Sequence, residues 1–207
     1  MKPDRLFAQE IIEDILEQIH GRLCLEASNC NFLAQAVSEA RSGHHLEIGT
    51  LHGGSAILAA LVKAQHGYSG DVWCVDPLEG YYKGTPFACE VDWVSKIPVT
   101  PEIVIENLRT FGVEDRVHII QAKSDPLPTG LPDVFSSAFI DGDHWGDAPL
   151  RDWMNVKDKV TGYVIFDNTD QSSHPAVVQA VNVARADPDW EVVLEAGITA
   201  VLKRRVP

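Results

Sequence analysis

The sequence has few positive charges, few cysteines and no long apolar run. Seventeen Lys and Arg residues stand against 30 Asp and Glu among 207 residues, a formal net charge of −13. A chain this acidic has no electrostatic attraction for a phosphate backbone or an anionic membrane, so nucleic acids and membranes are disfavoured as partners. No run reaches the ~18 apolar residues of a membrane span, and the N-terminus lacks the apolar segment of a signal peptide.

The number and spacing of the cysteines indicate neither a metal site nor a disulfide framework. There are four of them, at positions 24, 30, 74 and 89, with no C-x-x-C pair. We therefore expect reduced thiols in a cytoplasmic protein rather than a disulfide framework or a metal site. The length suits one domain, residues 1–207, which leaves a small molecule as the favoured partner.

Short apolar runs alternate with helical segments from about residue 45 onward. Strands are predicted at 46–48, 72–75, 117–120, 138–140 and 163–166, and helices at 55–64, 101–111, 149–158 and 175–184. This alternation predicts parallel strands with helices on both faces, a doubly wound Rossmann-like α/β fold in three layers. The last two runs, 190–194 and 198–202, are joined by Ala196-Gly197, which is too short for a helix and predicts a C-terminal antiparallel hairpin.

Two further regions lie outside this alternation. Residues 1–42 carry two amphipathic helices, which could cover a site or form a homo-oligomer, and the sequence leaves both open. Residues 77–100 form an insertion rich in Pro, Gly and aromatic residues, long enough to shape a substrate site.

The most informative segment runs from Leu46 to Ser55 and contains three glycines, Gly49, Gly53 and Gly54. A phosphate-binding P-loop requires Lys at the position of Ser55, which excludes that reading. A dinucleotide fingerprint requires a middle glycine where Leu51 stands, which weakens a nicotinamide-dependent oxidoreductase. A loop that curls under a nucleoside without phosphate fits better, although a simple tight turn stays open.

Two acidic residues support the nucleoside interpretation. Asp76 ends the second strand, where a carboxylate accepts hydrogen bonds from both ribose hydroxyls. Glu47 precedes the glycine loop and suits a ligand with positive charge, such as the sulfonium and amino group of S-adenosylmethionine.

The loop, its preceding acid and the strand-ending Asp resemble class I S-adenosylmethionine-dependent methyltransferases. The resemblance covers the chain from about residue 28, and the terminal hairpin agrees with that fold. It implies that Glu47 and Gly49 lie near the methionine end of the cofactor, Asp76 at the ribose, and Ser124 and Asp125 near the adenine. The full set that it implies for cofactor binding is Glu47, Gly49, Gly53, Ser55, Asp76, Ser124, Asp125 and Asp141.

Hard oxygen ligands follow the fourth and fifth strands. Asp141 ends one strand and Asp167-Asn168 ends the next, and parallel neighbours place their carboxyl ends at one edge of the sheet. Such oxygens suit Mg²⁺, which would hold a substrate hydroxyl and lower its pKa. A helix cap and an Asx turn are the alternative explanation for these residues.

His144 lies three residues after Asp141 and is a candidate general base near neutral pH. His174, before the last helix, could also reach the acceptor, although a surface position is the favoured expectation. Asp141, Asp167 and Asn168 resemble the metal site of the catechol and caffeoyl O-methyltransferases, but His144 replaces their Lys. That His, within Asp-Gly-x-His, is similar to the macrolide-sugar O-methyltransferases and the cephalosporin-hydroxylase-like group.

The resemblance therefore implies an S-adenosylmethionine-dependent O-methyltransferase that acts on a hydroxyl of a small molecule. Two alternatives stay open at this point: a nicotinamide-dependent oxidoreductase, and a non-catalytic S-adenosylmethionine-binding protein of the same fold.

Overall fold

A computed structural model describes residues 3–23, 27–81 and 88–205 of the chain. Within these ranges the helices are α1 Pro3–Gln18, α2 Ala27–Ala40, α3 Gly54–Gln65, α4 Pro101–Thr110, α5 Ala148–Val156 and α6 Pro175–Ala186. The strands are β1 His45–Ile48, β2 Val72–Asp76, β3 Val117–Gln121, β4 Phe135–Ile140, β5 Val160–Phe166, β6 Trp190–Ala196 and β7 Thr199–Arg204. Every strand and helix predicted from the sequence is present, with ends displaced by a few residues.

The strands form one seven-stranded sheet in the order β3-β2-β1-β4-β5-β7-β6. The first five are parallel, and β7 lies antiparallel between β5 and β6. The doubly wound fold with a C-terminal antiparallel hairpin is therefore confirmed. Ile48 is in register with Val75 on β2 and with Ile140 on β4, so the carboxyl ends of these central strands form one edge.

Apolar side chains divide between the two faces of the sheet because successive residues of a strand point to opposite sides. Phe139 and Ile165 belong to the core formed with α1, α2 and α3, whereas Ala138, Ile140 and Phe166 belong to the core under α5 and α6. The central strands β1 and β4 are thus buried on both faces over their whole length, as their continuous apolar runs predicted, whereas the edge strand β3 is mostly half-buried.

The insertion begins directly after β2 and is described in part. Tyr81 pairs with Cys89 and Val91 with Pro98 through isolated antiparallel bridges. Residues 82–87 of the insertion and Cys24 lie outside the described residues, whereas Cys74 is a buried free thiol as expected. None of the helices in the described ranges has the length and apolar character that crossing a membrane requires.

Candidate active site

A cavity of about 580 Å³ opens at the carboxyl edge of the sheet. Its walls come from the glycine loop after β1, the start of the insertion after β2, and the loops after β3, β4 and β5. Of the predicted site residues, those that line it are Gly49, Asp76, Ser124, Asp125, Asp141, His144 and Asn168. A wider, shallower groove of about 880 Å³ lies between α5 and α6, and no predicted site residue lines it.

Gly49 allows the glycine loop to pass against the end of β4. Its φ of 83° lies in the left-handed region, and a Cβ at this position would be 2.2 Å from the Asp141 carbonyl oxygen. Only glycine fits such a contact. Gly53 also has a left-handed φ, 87°, and caps the N-terminus of α3. The loop therefore curls tightly between the ends of β1 and β4.

Asp76 holds this loop through its carboxylate. Oδ2 accepts hydrogen bonds from the Thr50 amide at 2.7 Å and the Leu51 amide at 3.3 Å, and Oδ1 accepts one from Leu78 at 2.8 Å. Burial raises the pKa of Asp76, while these amides oppose the shift. Oδ1 accepts only one of these hydrogen bonds and has a second lone pair, so Asp76 keeps the capacity to accept from a ribose hydroxyl, which stays a prediction.

Glu47 lies beneath the loop rather than in the cavity wall. Its side chain is completely buried, and Oε1 accepts a hydrogen bond from the Thr50 hydroxyl. Burial raises the pKa of Glu47 to about 8, although Thr50 and Ser55 partly oppose this shift. Glu47, Gly53 and Ser55 do not line the cavity in the described structure. Direct contact of these three residues with a cofactor stays a prediction.

An imidazole–carboxylate pair stands at the end of β4. His144 Nε2 lies 3.1 Å from Asp141 Oδ1, and both side chains are less than 10% exposed. The His174 ring contacts His144 edge-on at a centroid distance of 4.9 Å, and His174 lines the same cavity. Burial and the neighbouring His144 lower the pKa of His174. His174 is half-buried at the cavity wall, which favours the alternative in which it reaches the acceptor over a fully exposed surface position.

The three proposed metal ligands are only partly brought together. Asp141 and Asn168 line the cavity, and Asn168 has a left-handed φ of 57°. Asp167 is 1% exposed, lies within 3.4 Å of the Thr199 hydroxyl and does not line the cavity. Among the described residues no cluster of three or more His, Cys, Asp and Glu side chains is arranged to hold a metal ion. Binding of Mg²⁺ by Asp141, Asp167 and Asn168 stays a prediction, and we derive no step through the ion.

The end of the cavity nearest β3 carries one exposed and one buried carboxylate. Asp125 is exposed and forms an ion pair with Arg151 at 2.8 Å. Asp152, which the sequence analysis missed, is 2% exposed and lines the cavity beside Ser124. Burial raises its pKa to about 6, and Ser124 opposes that shift. No local motif marks Asp152, since only the packing of α5 brings it to the cavity.

Arg22 forms the opposite wall, between the insertion and the turn after α1. Its guanidinium donates two hydrogen bonds to Asp92, each of 2.9 Å, and another to the Tyr81 hydroxyl at 3.2 Å. The Asp92 side chain is fully buried, and although burial opposes it, the Arg22 hydrogen bonds help lower the pKa of Asp92 to about 2. The sequence analysis missed this pair, because Arg22 and Asp92 are 70 residues apart and no local motif connects them.

A family model for a methyltransferase domain matches residues 46–169. The O-methyltransferase NovP is similar in structure, with a TM-score of 0.76 and 19% identity over 96% of this chain and 98% of that chain. TomG from Streptomyces achromogenes, an O-methyltransferase of tomaymycin synthesis in complex with SAM, has a TM-score of 0.61 and 18% identity over 99% of this chain and 90% of that chain. An O-methyltransferase from Bacillus cereus in complex with SAH has a TM-score of 0.61 and 18% identity over 99% of this chain and 93% of that chain. No curated protein sequence matches the chain.

The sheet order, the glycine loop and the cavity at the carboxyl edge define a Rossmann-like α/β protein with a site where such folds bind ligands. The family model covers more than half of the chain, and the chain belongs to the methyltransferase-domain family. Its enzyme class is that of the S-adenosylmethionine-dependent methyltransferases, which decides against the nicotinamide-dependent oxidoreductase.

Proposed function

We propose that this protein transfers the methyl group of S-adenosylmethionine to a hydroxyl oxygen of a small molecule. The observation that carries the proposal is the shared cavity, which brings the glycine loop, Asp76 and the Asp141–His144 pair to one place. The first two suit a nucleoside, and the pair suits removal of a proton from an acceptor. The names of the similar structures, all O-methyltransferases, support oxygen as the methyl acceptor.

S-adenosylmethionine supplies a methyl group on a positively charged sulfur, and the protein's task is alignment of that methyl with the attacking oxygen. Gly49 and Asp141 form the narrow wall between the ends of β1 and β4, where the methionine part would lie. Asp76 would bind the ribose, and Ser124 and Asp125 would lie at the adenine. The acidic cavity favours the cationic cofactor over its neutral product.

His144 is proposed as the general base. In the tautomer that donates Nε2–H to Asp141, the basic lone pair of the imidazole is on Nδ1. An acceptor hydroxyl bound beside His144 would give its proton to this lone pair, which would leave the oxygen ready to take the methyl group that S-adenosylmethionine supplies. Asp141 stabilises the imidazolium that forms, because a carboxylate favours a neighbouring positive charge.

The acceptor would enter between the β4 loop and the wall of Arg22 and Tyr81. This wall and the two histidines offer polar contacts, which suit a hydroxylated natural product or sugar derivative. Participation of Mg²⁺ stays a separate prediction, which requires Asp141 and Asp167 to bind the ion in addition to or instead of their present contacts with His144 and Thr199. Titration of the protein with MgCl₂ during calorimetry with S-adenosylhomocysteine tests it.

The experiment measures S-adenosylhomocysteine formed from S-adenosylmethionine in the presence of a panel of glycosylated and phenolic natural products. For an acceptor that turns over, His144→Ala should lose at least about a hundredfold in kcat and keep cofactor affinity. His118→Ala is the matched control, because His118 pairs with Asp71 at the other end of the sheet. Normal turnover by His144→Ala would remove His144 from the mechanism, and consumption of no acceptor would favour a non-catalytic cofactor-binding protein.

A further inference from the structure

Residues 19–23, the segment that follows α1, pack directly on the glycine loop. A Cβ built on Gly54 would lie 2.6 Å from Leu23 Cδ1, so the first turn of α3 leaves no space for a side chain between itself and this segment. A Cβ built on Gly21, whose φ is 123°, would lie 2.4 Å from the His52 ring. The two stretches of backbone therefore approach each other as closely as glycine permits.

Asn107, on α4, joins these two stretches of backbone through its side-chain amide. The residue is 1% exposed, and its Oδ1 accepts a hydrogen bond from the His20 amide at 2.8 Å. Its Nδ2 donates to the His20 carbonyl at 3.0 Å and to the His52 carbonyl at 2.9 Å. Since all three partners are backbone groups, Asn107 fixes the main chain of the segment to the main chain of the loop.

A second link leads from the loop to the opposite wall of the cavity. His52 is fully buried, which lowers its pKa, and Nδ1 of the neutral ring accepts a hydrogen bond from the Arg22 amide at 3.3 Å. The Arg22 guanidinium in turn donates to the buried Asp92 and to the Tyr81 hydroxyl. A continuous chain of hydrogen bonds thus runs from the glycine loop to the acceptor wall, which consists of Arg22 and Tyr81.

We propose that Asn107 is a positioning residue that fixes the acceptor wall to the glycine loop, so that a ligand held by the loop also stabilises the wall. The inference rests on the proposed function, because it takes the loop as the cofactor site and the wall as part of the acceptor site. Asp76 holds the loop independently through two backbone amides. Loss of the Asn107 side chain should therefore release residues 19–23 and leave the cofactor site in place.

The test measures amide hydrogen exchange by mass spectrometry, with and without saturating S-adenosylhomocysteine. In the wild-type protein the ligand should slow exchange in residues 19–23 roughly tenfold or more, because it opposes local opening of everything fixed to the loop. In Asn107→Ala this slowing should fall below about twofold, while residues 49–54 keep theirs. For an acceptor that turns over, the same variant should raise the acceptor KM at least about fivefold and the S-adenosylmethionine KM less than about twofold.

Two further variants separate this role from general loosening of α4. Glu106→Gln is the matched control, because Glu106 precedes Asn107 and meets only the exposed His20 side chain, at 3.7 Å. This variant should keep the wild-type response to the ligand. Gly21→Ala places a Cβ against the His52 ring and should lose the response with Asn107 intact. It decides the question if Asn107→Ala does not unfold cooperatively in urea.

The ligand-dependent difference in exchange is the readout that a merely structural role would not move. A wild-type protein that binds the ligand without slower exchange in residues 19–23 would overturn the inference. Equal slowing in wild-type protein and folded Asn107→Ala, the result expected if the ligand contacts Arg22 directly, would overturn it as well. Failure of the wild-type protein to bind S-adenosylhomocysteine would instead contradict the proposed function itself.

Discussion

Glu47→Gln tests whether a neutral carboxylic acid lies beneath the glycine loop. Burial raises the pKa of Glu47 from its ordinary 4.5 to about 8, with Thr50 and Ser55 acting in the opposite direction. The folded protein therefore holds this proton at pH values where the unfolded chain releases it. The stabilising contribution of the raised pKa to the free energy of unfolding is therefore fully present below pH 4.5. It is lost progressively as the pH rises toward 8.

The size of this effect follows from the two pKa values. Between them, each pH unit lowers the free energy of unfolding by about 1.4 kcal/mol, so Glu47 removes roughly 3 kcal/mol between pH 5 and pH 8. Gln keeps the shape of the side chain and an oxygen that accepts from the Thr50 hydroxyl, but it does not titrate. Glu47→Gln should therefore gain roughly 3 kcal/mol relative to the wild-type protein over this interval.

Urea unfolding of the ligand-free proteins, followed by tryptophan fluorescence at pH 5, 6.5 and 8, measures the difference. Burial raises the pKa values of Asp76 and Asp152 in the same direction, but both proteins carry these residues and their contributions cancel in the comparison. Glu114→Gln, a half-exposed control, should follow the wild-type curve. If Glu47→Gln and the wild-type protein lose stability in parallel from pH 5 to pH 8, the reasoning about Glu47 is refuted.

Three further predictions concern packing and charge elsewhere. Arg22→Ala leaves the buried Asp92 carboxylate without its cationic partner and should lower the free energy of unfolding in urea by about 3 kcal/mol. The control Arg109→Ala removes an exposed ion pair and should lower it by less than about 0.5 kcal/mol, so equal losses in the two variants would contradict this. Burial lowers the pKa of His45 from 6.5 to about 3, so the wild-type protein should lose roughly 3 kcal/mol more than His45→Gln as the pH falls from 6.5 to 4. Gly49→Ala drives a Cβ into a carbonyl oxygen at the end of β4 and should abolish S-adenosylhomocysteine binding in calorimetry; wild-type affinity would show that the loop tolerates a side chain.

The sheet was predictable because its central strands are largely buried on both faces and separated by amphipathic helices. Residues 72–75 and 163–166 read as continuous apolar runs for that reason. The short connection around Gly197 was enough to predict the hairpin. Lys63 shows the limit of such patterns, since it is 1% exposed within α3 and donates to the carbonyls of Arg41 and Gly43. Helical periodicity alone gives no sign of these backbone acceptors.

Part of the cavity wall was predictable because strand ends of a parallel sheet meet at one edge. Gly49, Asp76 and Asp141 were found from their positions directly after strands. Asp152 and Arg22 were missed, because both reach the cavity only through tertiary packing. Asp152 lies on a face of α5, and Arg22 lies in a turn 70 residues before its partner Asp92. The position of His174 could not be decided from the sequence for the same reason, since its contact with His144 depends on how the segment after β5 folds.

The central claim is that the cavity at the carboxyl edge binds the adenosyl cofactor. Calorimetric titration of the wild-type protein with S-adenosylhomocysteine, with and without MgCl₂, tests it most directly. We predict one site per chain with a micromolar dissociation constant, lost in Gly49→Ala and retained in His144→Ala. No detectable binding to protein that unfolds cooperatively would contradict the assignment of this cavity and the methyl transfer derived from it.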